Sequence, residues 1–268
     1  SLARVVEFAR RCGVSCLDIS KMHISELIAL NDSASLAQVK VRPGGTEILA
    51  HERRLLREKL TTLLYVRYAT TETGGIAMTD PLAGDDDETS GVPLPGVLVE
   101  IVGEQGELLT PGQIGEIRLK APGMATSYLD NRDQTELRFR EGWFYPGDVG
   151  SLQEDGRIVV KGRKDDMMIL NGINIFPADI ESVLEKHPDV RAAAALPLKS
   201  AVHGQIPVAA VQLETGAQIT AQQLQRYARE HLAIRAPRRI IVLDNLPRSN
   251  QGKLLRKQIE QHFARFEI

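Results

Sequence analysis

GWFYPGDVGSLQEDGRIVVKGRKDDMMILNGINIFPADIE, residues 142–181, decides how the chain divides. Within it, Gly162-Arg163-Lys164-Asp165-Asp166 carries no apolar side chain and separates two strand-like runs. It reads as a joint between the end of one domain and the opening of the next. Before the joint, Asp155-Gly156 lies between GDVGSLQ and RIVVKG, and an Asp-Gly pair between such runs signals a tight hairpin. After it, MMIL and INIF flank Asn171-Gly172, a second hairpin signal. Pro177 then opens an amphipathic helix with Ile180, Val183 and Leu184 on one face. Two hairpins joined by a polar loop occur in many proteins, so shape alone carries little functional weight.

The residues themselves carry more. Gly147-Asp148 and Gly162-Arg163-Lys164-Asp165-Asp166 occur in that order, with Arg163 fifteen positions after Asp148. This stretch resembles the hinge region of the adenylate-forming superfamily, which includes acyl-CoA synthetases, peptide-synthetase adenylation domains and luciferases. In that family a GD pair holds the ribose hydroxyls of the nucleotide, and a GRxxD sequence spans the hinge between a large domain and a C-terminal lid. The resemblance implies nucleotide binding by Asp148 and Arg163, with Asp165 as the hinge. Gly172, at the tip of the second hairpin, would approach the pantetheine in a CoA tunnel.

Upstream, residues 1–78 alternate helical and strand patterns. Val5, Val6, Phe8 and Ala9 give an opening helix an apolar face, and VSCLDIS follows as a strand. Met22–Leu30 reads as helix, LAQVKV as a strand running into Pro43-Gly44-Gly45, residues 50–60 as a charged amphipathic helix, and TLLYVRY as a buried strand. Such alternation predicts a parallel sheet with covering helices. It begins on a helix with no preceding strand, as though the first part of a domain belonged upstream.

That last strand runs into Tyr68-Ala69-Thr70-Thr71-Glu72-Thr73-Gly74-Gly75, a polar loop at a carboxyl strand end, where open α/β sheets place ligands. Hydroxyls suit phosphate oxygens, and a carboxylate suits Mg²⁺, a hard cation. An isolated TTETGG is more often a solvated turn. In its place here it resembles the family's YGxTE sequence. That implies Tyr68 and Thr71 in the nucleotide site and Glu72 as metal ligand and catalytic residue, with Ala69 standing where the family usually has Gly. Gly44, Gly45, Gly74 and Gly75 fall where the family builds its acyl pocket, and the small residues Gly74, Gly75 and Ala77 would permit a bulky or elongated acid.

Residues 79–162 change character. Gly, Pro and acidic residues cluster at 81–96, followed by short alternating runs. In GEIRLKA, Ile117 and Leu119 face one way while Glu116, Arg118 and Lys120 face the other. This predicts a small antiparallel β-barrel or sandwich, with Trp143 as a packing residue and Pro146 in place of the Thr of the family's YTGD. The expected domains are 1–164, with an α/β portion to residue 78 and a barrel portion over 79–162, and an α+β lid over 165–268.

In the lid, the helix from Pro177 stops at His187-Pro188; RAAAALPL, IPVAAVQLE and RRIIVLDNLP read as strands. Thr220 and Gln223 form a capping box for a helix through Leu232. A final helix places Leu254, Leu255, Ile259 and Phe263 at helical spacing. Before it stands PRSNQGKLLRK, which resembles the family's PxTxxGKxxR. The resemblance makes Lys253 the catalytic lysine, a point charge suited to gathering two anionic reactants.

Composition bounds the rest. With 33 basic against 35 acidic residues and no dense basic stripe, the chain is not built for nucleic acid. Its apolar runs fall far short of the ~18–20 residues of a membrane span, and no secretion signal opens it. Cys12 and Cys16 fit neither a zinc nor a disulfide framework and read as reduced residues of a cytoplasmic protein. No Ser-His-Asp ordering, GxSxG, GxGxxG or GxxxxGK[ST] competes. The expected parent is an acyl-CoA ligase using ATP, Mg²⁺ and CoA on a small carboxylic acid. The family's pyrophosphate-gripping loop would lie in an N-terminal half outside this sequence, so the chain alone is expected to be inactive. Carrier-protein loading, a non-catalytic nucleotide-binding or interaction module, and a homodimer stay open.

Overall fold

The parallel pattern read from the first residues is present as a small sheet. In the computed structural model, which describes residues 2–20, 23–24, 27, 36–44, 48, 50–81, 89–200, 204–249 and 252–264, β1 (Cys16–Ser20) and β2 (Lys40–Gly44) pair in parallel. Leu64 continues the sheet through a parallel bridge to Val41. α1 (Leu2–Arg11) and α2 (Ala50–Lys59) cover it; Val6, Ala9, Ile19, Val41, Leu56 and Leu64 share one core. Most of the expected helix at Met22–Leu30 lies outside the described residues. The expected strand LAQVKV starts only at Lys40, because the Val39 N–H donates to the Leu36 carbonyl at 2.9 Å and closes a turn. Leu36 and Val39 are buried in that turn, so their apolar character reflects burial rather than extension.

TLLYVRY does not form one strand. Leu64 and Val66 are buried beside β2, but from Arg67 the chain becomes more exposed, and β3 (Arg67–Thr70) joins an antiparallel sheet with β4 (Gly74–Met78) and β5 (Val92–Pro93). The register shifts between Tyr68 and Ala69. TTETGG is therefore a hairpin turn rather than a loop leaving a parallel strand.

A second antiparallel sheet holds β6 (Leu98–Val102), β7 (Gly115–Lys120), β8 (Phe139–Arg140), β9 (Trp143–Phe144), β10 (Asp148–Leu152) and β11 (Ile158–Arg163), in the order β11-β10-β7-β9-β8 with β6 on β7. Among the described residues the antiparallel portion expected as a barrel or sandwich is two small sheets that do not close into a barrel. Ile117 and Leu119 are fully buried with Ile76, Phe144 and Ile158, as the alternation of GEIRLKA requires. Trp143 packs under cations, with Arg118 and Lys120 4.6 and 4.4 Å from its ring centre. A short helix, α3 (Arg132–Arg138), intervenes; the Asn131 side chain caps it by accepting from the Gln134 N–H. Buried Arg53 on α2 donates to the Ile48 and Thr89 carbonyls at 2.8 and 2.6 Å. Thr89 in turn donates to the Ile158 carbonyl at 3.0 Å, so one arginine ties the α/β portion to the antiparallel one.

The chain folds as two compact units, residues 1–160 and 161–268. In the second, β12 (Met168–Leu170) and β13 (Ile173–Ile175) form a hairpin closed by Asn171 and Gly172. Their φ values of 50° and 77° are the two left-handed positions of a type I′ turn. α4 (Pro177–Glu185) follows, with Pro177 in its first turn and Ile180 and Leu184 buried. β14 (Val190–Ser200), β15 (Gly204–Leu213) and β16 (Arg239–Val242) form a sheet in that order. α5 (Ala221–Leu232) starts at the reciprocal Thr220–Gln223 capping box. α6 (Arg256–Gln261) starts two residues later than the apolar spacing implies: Leu254 bridges to Arg248 as a strand pair, and Leu255 is the cap. Ile259 and Phe263 are fully buried against β14 and its neighbours, each contributing roughly 2–3 kcal/mol of burial.

Candidate functional site

In the first unit, two residue pairs meet across long stretches of sequence. Tyr68 on β3 donates its phenol proton to Asp148 Oδ2 at 2.5 Å. Asp148 opens β10 and is 7% exposed. A buried carboxylate is costly unless hydrogen-bonded, and Tyr68 supplies such a bond without using up the acceptor sites of the two oxygens. Gly147 precedes it at φ 81°. A Cβ there would lie 2.0 Å from Arg138 Nη1, so the missing side chain lets a guanidinium rest against this backbone.

The second pair sits on the β3–β4 turn. Thr70 and Thr73 share a hydroxyl hydrogen bond of 2.9 Å that closes Thr71-Glu72-Thr73. Thr71 is exposed and Glu72 half-buried. Tyr128 donates its hydroxyl to Glu72 Oε1 at 2.6 Å, and the Ala125 N–H donates to the Glu72 carbonyl at 2.8 Å. Tyr128 is fixed in turn: its N–H donates to Thr135 Oγ1 at 2.9 Å, and its ring meets Phe139 edge-on, 5.3 Å between centres. Sequence reasoning missed Tyr128 and Thr135. Their one signal was the Asn131 cap, which places a helix, and so Thr135, four residues on.

Among the described residues no three His, Cys, Asp or Glu side chains gather as a metal cage. A single hydrogen-bonded carboxylate on a polar turn still suits Mg²⁺, which takes one or two protein carboxylates and fills its shell with phosphate oxygens and water.

Gly44 ends β2, whereas Gly74 and Gly75 open β4, so these residues lie on two different sheets; Gly45 is outside the described residues. A Cβ on Gly75 would come 2.8 Å from Leu94 Cδ1, while one on Gly44 would make only ordinary contact with Arg67 at 3.8 Å.

The second unit holds the remaining candidates. Arg163 ends β11, and a turn follows in which the Asp166 N–H donates to the Arg163 carbonyl at 3.2 Å; Asp165 is exposed within it. Gly172 is exposed at its hairpin tip, where an added Cβ would meet nothing within 4 Å. Lys253 is exposed on a loop closed at both ends. The Ser249 N–H donates to the Lys253 carbonyl at 2.8 Å, and the Lys253 N–H donates back to Ser249 Oγ at 3.2 Å. Arg248 Nη1 donates to the Gly252 carbonyl at 2.9 Å, with Gly252 at φ 81°.

Residues 6–129 match the family of AMP-binding enzymes, and residues 179–253 match the C-terminal domain of AMP-binding enzymes. A 2-succinylbenzoate–CoA ligase of a Geobacillus species is 38% identical over 159 residues, 59% of this chain and 32% of the relative. A fatty acid–[acyl-carrier-protein] ligase of Streptomyces coeruleorubidus is 32% identical over 229 residues, 82% of this chain and 44% of the relative. The structure of o-succinylbenzoate CoA synthetase from Bacillus subtilis with its acyl-adenylate intermediate superposes with a TM-score of 0.86 at 29% identity, over 97% of this chain and 54% of that one. The chain thus spans about half the length of that structure and less than half of the two relatives.

Proposed function

The chain belongs to the family of AMP-binding enzymes, and from that premise we propose that it forms the nucleotide-binding and lid portions of an acid–thiol ligase. The reaction has two steps. The substrate carboxylate attacks the α-phosphorus of ATP and expels pyrophosphate, giving acyl-adenylate. The CoA thiol then attacks the acyl carbonyl, loses its proton and releases AMP. The acid is already ionised at neutral pH, so the first step needs no general base; positioning and charge neutralisation carry it.

The observation behind this reading is the Tyr68–Asp148 pair, two residues eighty apart brought to 2.5 Å. A carboxylate so fixed can accept from both ribose hydroxyls, and Arg163 adds a donor from the lid side of the joint. Thr71 offers its hydroxyl to the α-phosphate. Glu72, oriented by Tyr128, would hold Mg²⁺, which neutralises phosphate charge when bound. Lys253 presents an ammonium to the attacking carboxylate and the α-phosphate as charge builds between them. Asp165 is the hinge at which the lid turns, and Gly172 borders the pantetheine path. Gly44, Gly45, Gly74 and Gly75, which carry no side chain, would leave room for the acyl group.

A second acceptor is supported by the likeness to a carrier-protein ligase over 82% of the chain. The test is to trap acyl-adenylate on the complete enzyme with a panel of acids, then offer CoA or a phosphopantetheinylated carrier protein. Thioester with CoA alone is expected. Transfer only to the carrier would select the second reading, and no acid-dependent ATP–pyrophosphate exchange with any acid would sink both.

A further inference from the structure

β14 is an edge strand of its sheet, and an edge leaves alternate backbone groups without a ladder partner. Side chains meet them here. The Ala193 N–H donates to Glu185 Oε1 and the Ala195 N–H to Glu181 Oε1, both at 2.9 Å. The spacing fits, since four residues along a helix advance about 6 Å and two along a strand about 6.6 Å. Arg256 completes the arrangement: its Nε donates to the Ala195 carbonyl at 3.0 Å, and its Nη2 donates to Glu181 Oε1 at 2.5 Å. Both backbone groups of Ala195 are thus held by one ion pair. The side chains of Arg256 and Glu181 are only 28% and 13% exposed, so water screens the pair less than it would a surface pair.

Arg256 is the first residue of α6, three positions after Lys253. The two residues between them are themselves tied down. Leu254 bridges to Arg248, and the Leu255 N–H donates to the Pro247 carbonyl at 2.9 Å. No slack therefore separates the clasp from the lysine. Arg256 follows directly on this segment and ties its C-terminal end to β14 and α4.

We propose that Arg256, clasped by Glu181 and the backbone of Ala195, is the positioning residue that aims the Lys253 loop for adenylate formation. This rests on the reading of Lys253 as the adenylating lysine. An ammonium on a flexible four-carbon stem is placed only as well as its backbone, and misplacement by about 1 Å can cost up to ~100-fold in rate. The planar fork matters as well as the charge. A lysine at 256 keeps the charge but cannot hold the Ala195 carbonyl and Glu181 together in one rigid geometry.

The test uses Arg256→Lys and Glu181→Gln, with Lys253→Ala as comparator. In the 268-residue chain, amide exchange at Gly252, Lys253 and Leu255 should quicken about tenfold, while Ala209 and Val211 on β15 keep their protection. In the complete ligase, kcat for adenylate formation should fall about tenfold with KM for ATP and acid within about twofold, and thioester formation from supplied acyl-adenylate should be unchanged. Unchanged exchange at the loop overturns the proposal. So does equal loss of both half-reactions, or faster exchange spread across β15, since either marks a merely structural clasp. If Lys253→Ala leaves adenylation intact, the functional reading fails instead, and loop exchange still decides whether the clasp directs the loop.

Discussion

Two parts of the candidate site are built in opposite ways. Around Asp148 and Glu72, the first unit assembles side chains from distant segments: Tyr68 meets Asp148 across eighty residues and Tyr128 meets Glu72 across fifty-six. Around Lys253, the second unit uses backbone hydrogen bonds within the span 247–255 and one clasp at its end. The first design fixes functional groups through their partners' hydroxyls, so removing a hydroxyl should loosen a group without moving the chain. The second fixes a backbone and leaves the functional group at the end of a free stem. Deleting that group should abolish chemistry without disturbing the loop.

The largest expected effect tests this directly. Lys253→Ala should lower adenylate formation roughly 10²–10³-fold, the scale of losing one electrostatic stabiliser of a transition state. Thioester formation from supplied acyl-adenylate should stay within about threefold, and because Lys253 is exposed, Tm should not change. A fall in Tm, or equal loss of both steps, would erase the contrast between the two regions.

The same contrast explains what was legible in the sequence. Local signals survived well. Asn171-Gly172 forms its type I′ turn, Thr220 and Gln223 form their capping box, and Pro177 opens its helix, because each is decided by residues within one turn of each other. Asp155-Gly156 forms a hairpin too, but as a three-residue loop closed between Gln153 and Arg157, with Gly156 at φ 81°. Signals that needed partners failed. Leu36 and Val39 looked extended because they are apolar, yet a turn buries them equally well. TLLYVRY looked like one strand because the alternation of burial runs on through the change of sheet at Arg67, where only its level drops. The side-chain pairs Tyr128–Glu72 and Arg256–Glu181 are invisible to periodicity, since their members lie 56 and 75 residues apart.

Gly172→Leu should have the next largest effect. Both central residues of the turn sit at positive φ, and a branched side chain at φ 77° costs roughly 1–2 kcal/mol. If the hairpin tip borders the thiol's path, the bulk adds to this strain, and thioester formation should drop about tenfold more than adenylation. Gly172→Asn separates the causes, because Asn tolerates the left-handed region. It should recover the stability while only partly restoring the thioester step. Recovery of both together would assign the whole effect to strain.

A smaller change is expected at the metal side. Tyr128→Phe keeps the edge contact with Phe139 and removes only the bond to Glu72. The carboxylate loses a fixed orientation, so the Mg²⁺ concentration for half-maximal adenylation should rise roughly five- to tenfold, at or below the low end for partners that orient a metal ligand. Weaker Mn²⁺ binding by spin resonance in the presence of ATP is the independent readout. Glu72→Gln should exceed this effect in both assays. If Glu72→Gln matters and Tyr128→Phe does not, the hydroxyl is packing alone.

The smallest effect is expected at Tyr68, and it probes the side-chain design most cleanly. Tyr68→Phe leaves the ring on β3 and deletes one donor to a carboxylate that is 7% exposed. A hydrogen bond to a charged group is worth about 1.5–3 kcal/mol when a buried acceptor is left unmet. A bound ribose brings its own hydroxyl donors to that carboxylate, so in the complex part of the loss is made good. The free protein therefore suffers more than the complex: Tm should fall by a few degrees, whereas AMP affinity by calorimetry should weaken only about three- to fivefold. Asp148→Asn should reverse the ranking, with little change in Tm and a far larger loss of affinity, because Tyr68 keeps an acceptor while the ribose loses an ionised one. Equal losses of affinity in the two variants would mean that Tyr68 itself touches the nucleotide. An unchanged affinity in Asp148→Asn would remove Asp148 from the site altogether.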